Sequence, residues 1–242
     1  MALRIAMWSG PRNISTAMMR AWGNRPDTFL CDEPFYAYYL QATGRDHPGR
    51  DEVIAQGETD WRKVIAQLTG DVPDGKRIFY QKQMTHHLLP EIDRGWLRSV
   101  TNCFLIRDPA EVIVSYTKKK DDPSLEDIGF VQQAEIFDWV RQQMRAIPPV
   151  IDAHDVLENP EKILRLLCEA IGVDFTEAML SWAPGLRETD GIWGKHWYNE
   201  VATSTGFRKP SERKMAAIPE RFASVHSRSR ECYERLYQHR LH

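Results

Sequence analysis

Apolar residues in this chain fall into short unbroken runs, separated by stretches where they recur every three or four positions. The runs at residues 3–8, 28–31, 77–84, 100–106 and 150–153 predict buried strands, because a strand covered on both faces needs no polar alternation. The stretches at 14–22, 51–68, 110–119, 125–146, 161–171 and 220–238 predict helices. From residue 125 onward, Phe130, Val131, Ala134, Phe137, Val140, Met144 and Ile147 share one side of a helix. Pro109 suits a first helical turn and Gly172 a helix stop. Strands alternating with helices predict an α/β fold with a mainly parallel central sheet flanked by helices. With no internal repeat or low-complexity tract, residues 1–242 read as a single domain. Residues 184–218 are polar, aromatic and irregular, which predicts a lid or a loop that closes over a nucleotide.

Composition narrows the class. Lys and Arg total 32 against 34 Asp and Glu, a net charge of −2. Broad electrostatic capture of nucleic acid is then disfavoured, although a local basic pocket is not. Lys118, Lys119 and Lys120 read as a solvated patch. No apolar run approaches the roughly 20 residues of a membrane span. The opening MALRIAMWSGPRN lacks the long apolar region and small-residue cleavage site of a secretory leader, so it reads as a first strand. Cys31, Cys103, Cys168 and Cys232 are scattered and form no CxxC pair. Reduced thiols in a cytoplasmic protein are expected. Clustered zinc ligands are absent from the Cys and His spacing, and no metal is expected.

Two segments carry the chemistry. The first strand runs into SGPRNIST and then a helix, so backbone N–H groups and the positive end of the helix converge where the strand ends. Arg12, Asn13, Ser15 and Thr16 add directed donors for an anion. The same residues could instead be an ordinary helix cap beside a surface arginine. GxxxxGK[ST] is absent, which disfavours a standard ATP or GTP site. The second segment, CFLIRDP, delivers Arg107 to the carboxyl edge of the sheet, and Ser115 follows two helical turns later.

The spacing of Arg107-Asp108-Pro109 and Val114-Ser115-Tyr116 resembles the 3′-phosphate motif of the PAPS-dependent sulfotransferases. SGPRNIST looks like their 5′-phosphosulfate loop, and IDAHDVLENPEKILRLLCEAIGVDF like a later strand-plus-helix segment of the family. The three motifs occur in the family's order over about residues 3–175. The bacterial branch with SGPRNIST and DEP is the most similar. Some of its relatives have been called aminotransferase-like, yet no pyridoxal-phosphate signature is present here. The resemblance implies a P-loop nucleotide-kinase-like three-layer sandwich. It also implies PAPS as sulfuryl donor, PAP as product and a small-molecule hydroxyl or amine acceptor. It assigns Arg12, Asn13, Ser15 and Thr16 to the 5′-phosphosulfate, and Arg107 and Ser115 to the 3′-phosphate. Arg208 and Lys209 stand where some members carry a nucleotide-closing Arg-Lys-Gly loop, but the Gly is missing. The alternatives are a P-loop-like kinase using ATP and a non-catalytic nucleotide-binding module.

Sulfuryl transfer needs a cation beside the bridging oxygen and a base facing the acceptor. No metal is required, since sulfate carries less charge than phosphate. Lys82, near the end of IFYQKQM, is a candidate cation, a task Arg12 could share. His86 and His87 are candidate bases, similar to the Lys-Thr-His pattern of some members but at a longer spacing. Glu33, in RPDTFLCDEP, is the rival base and looks like the glutamate of the tyrosylprotein sulfotransferases. Trp193, His196, Trp197 and Tyr198 could line an acceptor pocket, stack on adenine, or pack the core.

Overall fold

Five strands form at the predicted runs: β1 (Leu3–Ser9), β2 (Thr28–Asp32), β3 (Ile78–Met84), β4 (Thr101–Ile106) and β5 (Val150–Asp152). A computed structural model describes residues 2–118, 122–209 and 218–242 of the chain. All pairings are parallel and the strand order is β2-β3-β1-β4-β5. Helices α1 (Ser15–Gly23), α2 (Tyr36–Thr43), α3 (Arg50–Gln56) and α4 (Trp61–Thr69) precede β3. Helices α5 (Pro109–Thr117), α6 (Leu125–Ile128) and α7 (Phe130–Met144) follow β4. After β5 come α8 (Ala153–Glu158), α9 (Pro160–Ala170), α10 (Gly194–Trp197), α11 (Asn199–Ala202) and α12 (Ala223–Tyr237).

Strand periodicity divides the interior into two layers. Ile5 and Met7 join Tyr80, Cys103 and Leu105 on one face of the sheet, under α1 and α9. Ala6 and Trp8 point the other way and pack with Phe79, Phe104 and Ile106 under α4, α5, α7 and α12. Both faces are dry, which is why the strands read as continuous apolar runs. Several polar groups inside the sheet are paired: the Trp8 indole donates to Asn102 Oδ1 at 3.0 Å, and Gln133 donates to the carbonyls of Trp8 (3.1 Å) and Leu105 (3.0 Å), while the buried Tyr80 hydroxyl has no partner. All four cysteines are unpaired.

Two helical expectations need correction, both at glycine. The span 125–146 is two helices, because Gly129 takes φ +71°, and a Cβ there would meet Thr85 Oγ1 at 2.6 Å. The span 51–68 breaks into α3 and α4 after Gly57, with Asp60 capping the second helix through the Arg62 N–H. In the expected lid, residues 184–209 hold α10, α11 and a bridge from Ser181 to Gly206, while 210–217 lie outside the described residues. Lys119 and Lys120 also lie outside them. No helix among the described residues is long and apolar enough to cross a membrane.

Because β1 is central, the chain crosses to β2 and β3 on one side of it and to β4 and β5 on the other. Such a reversal opens a crevice at the carboxyl ends of the strands. Ser9 there lies level with Met84 and Leu105, and Asp32 lies level with Lys82. Every candidate residue of the strand ends therefore shares one edge.

Candidate functional site

On the β1–β4 side of that edge the chain builds an anion cradle. The loop after β1 runs so close to the turn before α7 that a Cβ on Gly10 would meet the Ile128 carbonyl at 2.7 Å. Arg12 takes φ +56°, unusual for a residue with a side chain. This turn presents its guanidinium to α5, where Nε donates to Ser115 Oγ at 3.0 Å. Arg107 leaves β4 and donates to the Arg12 carbonyl at 2.7 Å, while its Nε pairs with Glu111 at 3.0 Å. The Arg107 side chain keeps 26% of its surface exposed, so the guanidinium faces the crevice and not the interior.

Helix α1 begins directly above the loop without a side-chain cap, and its first turn holds no acidic residue. Its leading N–H groups thus make an anion-favouring point, and Ser15 and Thr16 stand in that first turn. Two of the residue expectations change here. Asn13 spends its amide on the Leu105 carbonyl (3.1 Å) and on the Ile14 N–H (2.8 Å), so it pins the loop and is not one of the outward donors. Arg12 reaches Ser115, which joins the expected 5′ and 3′ groups into one continuous cradle in place of two separated ones. Phosphates at the 3′ and 5′ positions hang from a single ribose, so a continuous cradle suits both.

On the β2–β3 side the arrangement is the opposite. Lys82 is fully buried and pairs with Asp32 Oδ1 at 2.9 Å, with Glu33 Oε1, and with Tyr198 Oη at 2.7 Å. An ammonium has three donors, and all three are spent. The expectation that Lys82 meets the bridging oxygen is revised accordingly: it holds two carboxylates, and Arg12, in the loop that leads into the uncapped helix, is the cation left for that task. Tyr198 donates to Asp32 Oδ2 at 2.7 Å, and the Gly191 N–H donates to the same oxygen at 3.0 Å. The link between Asp32 and Tyr198, the latter expected only in an acceptor pocket, on adenine or in the core, was not legible in the chain because 166 positions separate them.

Glu33 also stands in the left-handed region, at φ +43°, held by its N–H on the Lys82 carbonyl at 2.9 Å. Burial raises its carboxyl above the ordinary range; Lys82 opposes that rise and the Asp32 charge adds to it. Its Oε1 is taken by Lys82, while Oε2 faces His87 Nδ1 at 3.9 Å, beyond hydrogen-bonding reach.

The histidine pair does not extend the strand toward the crevice. A tight turn over Thr85–His87 lays the His87 ring against Tyr36 (centroids 4.8 Å apart) and Tyr39 (4.6 Å). Burial lowers His86 to about 3 and His87 well below its ordinary value. A ring that resists protonation this strongly is a poor proton acceptor, so neither is retained as the base. Trp193 meets Tyr36 edge-on at 5.0 Å, and Tyr36 Oη shares a proton with His47 Nδ1 at 2.8 Å. These aromatics are packed on one another in this structure. Arg208 and Lys209 are exposed, and the Arg208 hydrogen bond to the Thr203 carbonyl (3.4 Å) stays within its own segment.

One cluster escaped the reading of metal ligands. His154, Asp155 and Glu158 bring ligand atoms within 4.8 Å of one another on α8. Arg240 already holds Asp155 Oδ2 at 3.0 Å, so the cluster is a partly exposed charge network on α8, just after β5.

Comparison with known proteins follows the same lines. The sulfotransferase domain family matches residues 3–220. Branched-chain-amino-acid aminotransferase-like protein 1 of Arabidopsis thaliana is 35% identical over 208 residues, which is 86% of this chain and 37% of that protein. The chain thus spans well under half the length of that curated relative. Among solved structures, the sulfotransferase domain from the curacin biosynthetic pathway superposes with a TM-score of 0.61 at 15% identity, covering 96% of this chain and 97% of its own. The sulfotransferase domain from the Synechococcus PCC 7002 olefin synthase gives 0.59 at 15% identity, covering 95% and 94%. At that identity the likeness is one of fold: the P-loop-like sandwich of the sulfotransferases.

Proposed function

Because the chain belongs to the sulfotransferase domain family, we propose that it moves a sulfuryl group from PAPS to a hydroxyl or amine of a small-molecule acceptor. The observation that carries the reading is the pairing of an uncapped α1 N-terminus with the Arg12–Ser115–Arg107 group, one strand away from a buried Glu33–Lys82 pair. Strands lie about 4.8 Å apart, so β1 and β2, separated by β3, set the cradle and Glu33 roughly 10 Å apart. That leaves room for a sulfuryl group and an acceptor atom in line between them.

PAPS supplies an activated sulfate on the 5′-phosphate. Ser15, Thr16 and the first N–H groups of α1 would hold the 5′ end, and Arg107 and Ser115 the 3′-phosphate. Arg12, bridging the two, would offset charge that builds on the bridging oxygen. Glu33 Oε2 would take the acceptor proton as the acceptor oxygen or nitrogen bonds to sulfur. The bond from sulfur to the bridging oxygen breaks at the same time, its electron pair leaves with the nucleotide, and PAP departs. The raised carboxyl of Glu33 makes it a stronger base than a solvated glutamate, and Lys82 opposes the rise. Residues 184–209 would serve as the lid over this edge, and the protein would act in the cytoplasm.

Transfer of label from ³⁵S-PAPS to a panel of hydroxyl and amine acceptors tests the reading. The expected result is labelled product with wild type and loss of about 10²–10⁴ in rate with Glu33→Gln. Label transfer undiminished in that variant would remove Glu33 from the mechanism, and ATP turnover without any PAPS-dependent transfer would remove the activity.

A further inference from the structure

The segment 187–198 is built into the edge it crosses. Asp190 forms a bidentate pair with Arg20 of α1, the two side chains being 4% and 0% exposed. The Gly191 N–H, one residue later, caps Asp32 Oδ2 at 3.0 Å. At the far end Tyr198 sits 5% exposed among the ions. Its hydroxyl accepts from Lys82 at 2.7 Å and from the Trp193 indole at 3.2 Å, and donates to Asp32 Oδ2 at 2.7 Å. Both lone pairs are therefore used, and the proton is shared between Asp32 Oδ2 and, at 3.4 Å, Glu33 Oε1.

From this geometry we infer that Tyr198 is a positioning residue: by closing the Lys82–Asp32 pair, its phenol keeps the third Lys82 donor on Glu33 Oε1 and leaves Oε2 open to the acceptor. The inference rests on the base role given to Glu33 above. With the phenol in place, Asp32 receives Lys82 on one oxygen and two O–H or N–H donors on the other. Without it, Asp32 Oδ2 and Glu33 Oε1 both lose the phenol's O–H, which lies 2.7 and 3.4 Å from them, and the Lys82 donor that the phenol releases is drawn toward Asp32. Glu33 is then held less firmly in its ionised form. The groups facing Glu33 are Asp32 on β2, Lys82 on β3, His87 in the turn after it, Tyr36 on α2 and Tyr198 on the crossing segment. His87 stays neutral and Tyr36 protonated through the working range, since burial lowers the one and raises the other. Lys82 and Tyr198 are thus the partners that stabilise the charge.

The test reads Glu33 itself. With ¹³C-labelled glutamate, the titration of the Glu33 carboxyl is followed by NMR in the ligand-free protein, for wild type, Tyr198→Phe and Asp32→Asn. Tyr198→Phe should move the midpoint upward by roughly half a pH unit or more, because a stabilising hydrogen-bond network around the anion is lost. Asp32→Asn should move it downward, because a neighbouring negative charge is removed and Lys82 is freed for Glu33. A merely structural role for the phenol would admit water and send both variants downward, which would overturn the inference. An unmoved midpoint in Tyr198→Phe would overturn it too. In the transfer reaction the same variant should lower kcat on the acidic side with acceptor KM little changed. Wild-type protein that titrates as described yet transfers no sulfuryl would sink the proposed activity and leave the phenol link standing.

Discussion

The two halves of the strand edge use cations in opposite ways. On the β1–β4 side, Arg12 and Arg107 are only half-buried, and each still has donors to give. On the β2–β3 side, Lys82 is sealed, and its three donors are distributed over two carboxylates and a phenol. An open cation can trade water for an incoming anion, which is the economy of a binding site. A sealed one can only set the charge state of its neighbours. The contrast separates affinity from proton transfer, and variants on the two sides should fail differently.

The largest expected effect is on chemistry alone. Glu33→Gln should remove most transfer while leaving PAP binding intact. It should also raise the unfolding midpoint slightly. Burial lifts the folded carboxyl above its unfolded value, so its contribution to stability is complete at low pH and is lost as pH rises through the folded value. Above that value the ionised group costs stability, and the amide relieves that cost. A variant that is inactive and also clearly less stable would contradict this assignment.

Next comes Lys82→Ala, which strands two buried carboxylates. Removing the lone cation of such a cluster costs about 3–5 kcal/mol, to be read by urea unfolding. Arg107→Ala should behave in the reverse manner, with stability nearly unchanged and affinity for PAP down by roughly tenfold or more, the worth of a charge-assisted pair. Equal stability losses from the two substitutions would erase the distinction between the halves.

The smallest effect concerns the histidines. The folded protein keeps His86 and His87 neutral, whereas the unfolded chain protonates them near pH 6.5. Stability should be complete above that value and fall as pH drops toward 3, because unfolding takes up protons that the fold refuses. His87→Phe, which keeps the stack on Tyr36 and Tyr39, should flatten this fall by about one proton between pH 6 and 4. An unchanged slope would mean that the ring is protonated in the fold.

What could be read from the chain follows the range of the forces involved. Strands were legible because burial on both faces leaves uninterrupted apolar runs, and the strand-end rule then placed Arg107, Lys82 and Glu33 on one edge. Helix α2 was missed because FYAYYLQ is aromatic on every side and carries no period. The glycine breaks at 57 and 129 depend on a backbone sign that composition does not reveal. Nearness in sequence misled most at His86 and His87: they follow Lys82 closely, but the turn after β3 aims them into α2. The partners of Lys82 were out of reach for the opposite reason, since Tyr198 lies 116 positions away and arrives only through the crossing segment.

The central claim is that the open half of the edge recognises a nucleotide carrying phosphate at both the 3′ and 5′ positions. Calorimetric titration with adenosine 3′,5′-bisphosphate, 5′-AMP and ATP examines it most directly. The account predicts a clear preference for the bisphosphate that Arg107→Ala abolishes. Equal affinity for 5′-AMP, or a preference that survives the loss of Arg107, would contradict it.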